Sequence, residues 1–363
     1  MLITIANDAP LSTRSAILAA ALERGFHAQA MKNGCGGEVI GIAGTLPIEH
    51  MELTGVEHAQ PVHKPFMMAS LEARSRSVVM VGDIAIGGDA PVFMAGPCSI
   101  ESLDDQVEIA RAVKAAGANI LRGGAFKPRS SPYSFQGLGQ EGLDALAAAR
   151  EATGLPVVTE VMEPEQVDLV AGYADMLQIG SRNMANFPLL KRVGRTNTPI
   201  LLKRGFAATQ EEFLMSAEYI MAGGNTNVVL CERGIRAFDA AFRFSLDLNV
   251  VPSIREVSHL PIIVDPSHGT GRRSLVARMA MAGLAAGADG LMLEVHADPD
   301  NALSDGYQTI TPMDLGRIHR RGMALLEALH GFDDADDLTP EVAAVTHFGT
   351  IDGDIGAGLE RIA

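Results

Sequence analysis

The sequence predicts an α/β protein: a (β/α)8 TIM barrel over residues 90–330, preceded by a small N-terminal α+β domain of the ferredoxin-like type. Two observations carry the barrel. Eight short apolar runs alternate with amphipathic helical segments, the pattern of parallel strands joined by right-handed crossovers. Polar and charged residues follow nearly every run, as they do when all strand ends open on one face. An open doubly wound sheet would gather them near one switch point instead.

The barrel strands are expected, in order, at Val92–Ala95, Asn119–Leu121, Pro156–Val161, Met176–Ile179, Pro199–Leu202, Val228–Leu230, Pro261–Val264 and Gly290–Val295. Helices are expected between and after them at Asp104–Ala116, Gly142–Thr153, Pro164–Tyr173, Phe187–Val193, Gln210–Met221, Phe238–Leu248, Arg273–Ala286 and Met313–Leu329. Gly117, Gly154, Gly223 and Gly287 follow helical segments, where a left-handed C′ residue is needed.

Residues 1–65 read differently. Strands at Leu2–Ala6, His27–Met31, Glu38–Ala43 and Val56–Val62, with helices at Ser12–Arg24 and Leu46–Leu53, give the split β-α-β-β-α-β order. Residues 66–89 form a linker ending in a hairpin, Ser77–Gly82 and Asp83–Gly87, placed to plug the N-terminal end of the barrel. Residues 331–363 carry eight acids against the single Arg361, an acidic extension with no assigned chemistry.

The totals restrict function. With 363 residues and 47% hydrophobic content there is ample material for a large core. A net charge of −15 argues against nucleic-acid binding, which needs a basic footprint. No apolar run approaches the roughly 20 residues that cross a bilayer. Three cysteines, Cys35, Cys98 and Cys231, make no disulfide framework, and the N-terminus has no basic leader; both suit a cytoplasmic enzyme.

The strand ends supply two chemical sets. The cationic set is Arg122, Lys127 and Arg129 in the loop LRGGAFKPRSSPYSFQGLG, Arg182 after the fourth strand, Lys203 and Arg204 after the fifth, and Arg233 after the sixth. Arg grips phosphate or carboxylate through paired donors, and Lys adds a mobile charge. So many cations in one pocket imply more than one anionic group in the bound state, although any single Arg could be a structural ion pair. The second set is Cys98, His268, Glu294 and Asp305. Thiolate, imidazole and carboxylate donors suit a divalent transition metal; His296 is the competing imidazole. Glu160 and Asp265 also sit at strand ends, where each could serve a substrate or pair with an Arg. Cys231 reads as barrel packing.

These residues lie in the motifs AGPCSIES (95–102), LRGGAFKPRSSPYSFQGLG (121–139), QIGSRNMANFPLL (178–190), LLKRGF (201–206), EYIMAGGNTNVVLCERGIR (218–236), DPSHGTGRR (265–273) and EVHADPDNALSDGYQ (294–308). Together they resemble the 3-deoxy-7-phosphoheptulonate (DAHP) synthases, in the branch related to the 3-deoxy-octulosonate 8-phosphate (KDO-8-phosphate) synthases. The resemblance implies a metal-dependent condensation of phosphoenolpyruvate with erythrose 4-phosphate, releasing phosphate, at the head of aromatic amino-acid biosynthesis. It implies phosphoenolpyruvate binding by Arg122, Lys127, Arg182, Lys203 and Arg233. Erythrose 4-phosphate falls to Arg129 and Ser130, with Asp265 positioning a hydroxyl. The metal, with Mn²⁺ foremost and Fe²⁺, Zn²⁺ and Co²⁺ as alternatives, falls to Cys98, His268, Glu294 and Asp305. Lys127, Glu160 and a water on the metal are the groups for proton transfer. The octulosonate branch carries Lys-Ala-Asn-Arg-Ser-Ser where this chain has Lys127-Pro128-Arg129-Ser130-Ser131, which favours the four-carbon sugar. The resemblance further implies a homotetramer; separately, the split β-α-β unit at 1–65 offers a place for an aromatic amino-acid effector, whose existence the sequence leaves open.

Overall fold

The computed structural model describes residues 1–32, 37–48, 51, 53–62, 64–128, 131, 133–239 and 241–329. At the N-terminus, β1 (Leu2–Ile5), α1 (Leu11–Glu23), β2 (Ala28–Lys32), β3 (Glu38–Ile42) and β4 (Val56–Gln60) build an antiparallel sheet of order β2-β3-β1-β4. Period-two alternation divides its faces. Ile3, Ile5, Ile40 and Ile42 pack with Ile17 and Ala21 of α1 in a core of their own. Leu2, Met31 and Val39 face the other way and join Phe66 and Met68 of the linker. The short helix expected at 46–53 lies partly outside the described residues; Met51 N–H donates to the Ile48 carbonyl at 3.0 Å.

Two polar anchors fasten the linker to the barrel wall. The Glu218 carboxylate accepts from the backbone N–H groups of Met68 (2.9 Å) and Ala69 (3.0 Å). His259 bridges the Ser77 hydroxyl (2.8 Å) and the Met68 carbonyl (2.7 Å). The expected hairpin follows as β5 (Val79–Val81) and β6 (Ile84–Ile86). Its Val79, Val81 and Ile86 pack with Val92, Ile120, Val158, Met176 and Val229, near the N-terminal ends of barrel strands. The hairpin therefore closes the bottom of the barrel.

The barrel strands are β7 (Val92–Gly96), β8 (Ile120–Arg122), β9 (Val157–Glu160), β10 (Met176–Ile179), β11 (Ile200–Lys203), β12 (Val228–Glu232), β13 (Ile262–Val264) and β14 (Gly290–Glu294). All pair in parallel, and β14 closes onto β7 with Leu291 beside Phe93. Every residue in these strands is buried, as a parallel sheet covered on both faces requires. The helices are α2 (Leu103–Ala115), α3 (Gln140–Thr153), α4 (Val167–Tyr173), α5 (Phe187–Val193), α6 (Gln210–Met221), α7 (Val250–Arg255), α8 (Pro266–Thr270), α9 (Arg273–Ala285) and α10 (Pro312–Leu329). Their starts are chemically marked. The Ser102 hydroxyl accepts from Asp105 N–H at 3.1 Å, and Thr209 and Glu212 form a reciprocal capping box. None of the described helices is long and apolar enough to cross a membrane.

Two sequence expectations fail here. The left-handed glycine after α6 is Gly224 (φ 109°), while Gly223 is pressed against Gly194, where a Cβ would meet backbone at 2.8 Å. The helix expected at Phe238–Leu248 is replaced by a loop whose Ile235 and Ser245 exchange backbone hydrogen bonds, and the helix begins only at Val250. The apolar residues there have another use: Phe244 stacks on Phe206 at 5.1 Å between ring centres.

Candidate active site

The strand ends open into a cleft of about 280 Å³. Among its lining residues are Arg122, Lys127, Arg182, Lys203 and Arg233 of the cationic set. Lys127 is nearly buried, and its ammonium donates to the Cys98 carbonyl at 2.9 Å. Arg182 and Arg233 lie over the Phe206 ring at 5.5 and 5.0 Å, and Arg233 also covers Phe244 at 4.0 Å. The aromatic pair therefore props two guanidinium groups at the cleft wall. Arg204 lies elsewhere. It pairs with buried Glu232 at 3.1 Å and with Asp247 at 2.9 Å, an ion-pair network that ties β11 to the loop after β12.

The second set also converges. Cys98, Glu294 and Asp305 present ligand atoms that all lie within 4.8 Å of one another. Cys98 Sγ is 3.1 Å from Asp305 Oδ2. His268 Nε2 is 3.3 Å from Glu294 Oε1. His296 stands apart, with Nε2 3.8 Å from Glu101 and Nδ1 accepting from Asp298 N–H. The helix α8 aims His268 inward: the Asp265 side chain caps it by accepting His268 N–H at 2.9 Å. Asp305 has a left-handed backbone (φ 52°), a conformation tolerated by Asp.

Behind these groups is a shell of fixed partners. Asp265 is fully buried, and its Oδ2 accepts from both His268 Nδ1 (2.7 Å) and Lys203 Nζ (2.5 Å). Burial opposes ionisation of Asp265, but the hydrogen bonds that His268 donates to it and the Lys203 ammonium outweigh that and hold the carboxyl well below its usual range. Burial lowers the His268 pKa, so its neutral form is favoured. An ionised Asp265 at 2.7 Å requires the proton on Nδ1, which turns the Nε2 lone pair toward Glu294. Glu294 is held by Arg122 at 3.3 Å and Gln308 at 2.6 Å. Burial, and next the nearby Glu294, push the Cys98 thiol up to about 12.

The thiol of Cys98 and the carboxylates of Glu294 and Asp305 thus cluster, and the Nε2 lone pair of His268 meets that cluster at Glu294. Such a donor set fits a divalent transition metal, and the electron-rich cluster calls for a cation.

Glu160 lines the same cleft, accepting from Gln178 Nε2 at 3.3 Å. It depends on Gly180, where a Cβ would come within 2.0 Å of Glu160 Oε1. Cys231 is packed among the inner barrel residues, and burial raises its pKa. Arg129 and Ser130 lie outside the described residues. Three contributors were missed in the sequence. Arg243 lines the cleft from the segment misread as a helix. Tyr307 accepts from Arg243 at 2.8 Å and donates to Asp305 Oδ1 at 3.1 Å. Gln308 grips Glu294. The last two lie inside the motif 294–308, but nothing in their side chains advertises a site.

The profile of the DAHP synthetase I family matches residues 64–329, the linker and the barrel. The chain belongs to this family. It is 49% identical over 277 residues to the phospho-2-dehydro-3-deoxyheptonate aldolase of Thermotoga maritima, covering 75% of this chain and 82% of that protein. It is 32% identical over 289 residues to the 2-dehydro-3-deoxyphosphooctonate aldolase of Methylobacterium radiotolerans, covering 73% and 97%. A crystal structure of the Thermotoga maritima enzyme, described as a DAHP synthase, superposes with TM-score 0.72 at 42% identity and covers 90% of this chain and 97% of that one. A truncated form from the same organism covers 73% of this chain, with TM-score 0.68 at 44% identity. Coverage of 90% exceeds what the barrel alone supplies, so this family member shares part of the N-terminal sheet domain as well.

Proposed function

We propose that this DAHP synthase family member condenses phosphoenolpyruvate with erythrose 4-phosphate, releasing phosphate and the seven-carbon sugar acid phosphate. The observation that carries this reading is the meeting of two sets in one cleft: six cations, and the Cys98, Glu294 and Asp305 cluster with His268 beside it. Two phosphorylated substrates account for the cations.

Arg182, Lys203 and Arg233 hold the phosphate of phosphoenolpyruvate. Arg122 and Lys127 serve its carboxylate and the reacting carbons, at the border between the two sets. The sugar phosphate goes to the loop carrying Arg129 and Ser130. Cys98, His268, Glu294 and Asp305 hold a divalent cation, Mn²⁺ foremost, which when bound polarises the sugar aldehyde as a Lewis acid. The enol C3 of phosphoenolpyruvate forms the new bond to the aldehyde carbon. Water then adds at C2, and phosphate departs from that carbon with its bridging oxygen. Lys127 and Glu160, which both line the cleft, are with water the groups that exchange the protons on this reading. Asp265, expected to touch the sugar, is fully buried behind Lys203 and His268 and acts through them.

The chain divides, on this reading, into a regulatory domain (1–65), a linker and plug (66–89), a catalytic barrel (90–330) and an acidic extension (331–363). A cytoplasmic homotetramer with an aromatic amino-acid effector belongs to the same proposal. The test is phosphate release from phosphoenolpyruvate with erythrose 4-phosphate or, separately, arabinose 5-phosphate. Turnover with the four-carbon sugar is expected. Preference for the five-carbon sugar would assign the chain to octulosonate chemistry on the same scaffold.

A further inference from the structure

A second, larger groove of about 1230 Å³ runs along the outer wall of the barrel between α9 and α10. Its lining is distinct from that of the strand-end cleft. Half-buried Met281 gives it apolar surface, with Ile310 and Ile318 almost fully buried behind. Five arginines line it, Arg272, Arg273, Arg278, Arg317 and Arg321, against two aspartates, Asp300 and Asp314. The aspartates are already engaged, Asp300 by Arg273 at 2.7 Å and Asp314 by Arg317 at 3.2 Å. Arg272 donates to the Ala241 carbonyl. Arg278 and Arg321 are exposed and make no ion pair among the described residues. A cationic groove on a chain of net charge −15 is a docking surface for an anionic partner. Its apolar residues and its length suit a peptide better than a free phosphate.

The same chain carries such a peptide. α10 ends at Leu329, and residues 331–363 hold eight acids and one arginine. Their first part, Phe332-Asp333-Asp334-Ala335-Asp336-Asp337-Leu338, sets four aspartates between two large apolar residues. We propose that the segment 332–341 docks in this groove of its own chain. Its aspartates face Arg278 and Arg321, and its apolar residues turn toward Met281. The reach is sufficient. Arg321 lies about 12 Å back along α10 from Leu329, at the helical rise per residue. Eight extended residues span up to roughly 27 Å.

The experiment uses the full-length chain with Arg278→Lys and Arg321→Lys together, which keep the charge and add amines. A zero-length carbodiimide joins an amine only to a carboxylate in contact with it. Equal parts of ¹⁴N- and ¹⁵N-labelled protein are mixed first, so that links between copies show hybrid masses. Links from positions 278 or 321 to carboxylates of 333–341, within one isotopic chain, are expected. Links to those carboxylates only between copies, or links from 278 and 321 only to other segments, would overturn the proposal. As a second measurement, Arg278→Glu with Arg321→Glu should speed proteolytic cleavage within 331–341 at least fivefold while phosphate release is unchanged. An unchanged cleavage rate would also overturn it.

Discussion

His268 Nε2 faces Glu294 Oε1 across 3.3 Å, while the opposite edge of the same ring is tied to Asp265 at 2.7 Å. The proton lies on the Asp265 side, so two electron-rich atoms confront each other beside the cleft. A cation resolves that conflict. Removing the first donors, by His268→Ala or Cys98→Ala, should lower Mn²⁺ affinity by more than about 100-fold. Asp265→Asn, which removes the partner orienting the ring and not a donor, should cost about 10- to 100-fold. Metal titration followed by isothermal calorimetry would check the order, and equal losses in all three would count against a distinct orienting role.

The cations divide into two kinds, and substitution should separate them. Arg204→Ala strands Glu232 in the interior without its charge partner, which costs about 3–5 kcal/mol and should lower Tm markedly. Arg182→Ala should leave Tm nearly unchanged and raise the KM for phosphoenolpyruvate at least tenfold. Thermal melts beside steady-state kinetics would show whether the two effects are as separate as the geometry requires.

The linker anchor is acid-sensitive. Burial lowers the His259 pKa from 6.5 to about 4. Between those values the unfolded chain binds a proton that the folded chain excludes. Stability is therefore full above about pH 6.5 and falls as pH drops toward 4, by about 3 kcal/mol from this group. Denaturant melts from pH 7 to 4 should show that slope, and His259→Gln should flatten it.

The plug and the sheet domain should behave differently on deletion. Removing residues 1–63 takes away a sheet with a core of its own and should leave phosphate release intact while abolishing any inhibition by an aromatic amino acid. Extending the deletion through Gly87 also removes Val79, Val81 and Ile86 from the barrel floor and should lower Tm sharply. Similar Tm values for the two truncations would show that the hairpin does not hold the barrel closed.

Gly180→Ala tests the placement of Glu160 without altering any charge. The added methyl must displace the Glu160 carboxylate, so kcat should fall at least tenfold while circular dichroism is preserved.

Much of this was legible in the sequence because parallel strands advertise themselves as short apolar runs. Met176–Ile179, Phe187–Val193 and Gln210–Met221 fall on their expected bounds. Five of the cleft-lining cations and the neighbours Cys98, Glu294 and Asp305 were readable because they lie at or beyond strand ends that open on the same mouth. The failures share a physical cause. The segment after β12 has helical apolar spacing, but Phe244 serves as a ring under Arg233 rather than as a helix face, and Arg243 was lost with it. Arg204 and Lys203 are adjacent in sequence yet point to different partners, Glu232 and Asp265. Only packing decides which of two neighbouring cations meets the cleft.

The central claim is that one metal, held by Cys98, His268, Glu294 and Asp305, is required for condensation with the four-carbon sugar. The most direct measurement is Mn²⁺ titration of chelator-treated protein, following bound metal and erythrose 4-phosphate-dependent phosphate release together. The account predicts no turnover in the stripped protein and recovery in proportion to metal, saturating at one ion per chain. Full turnover in protein shown to be metal-free would contradict it.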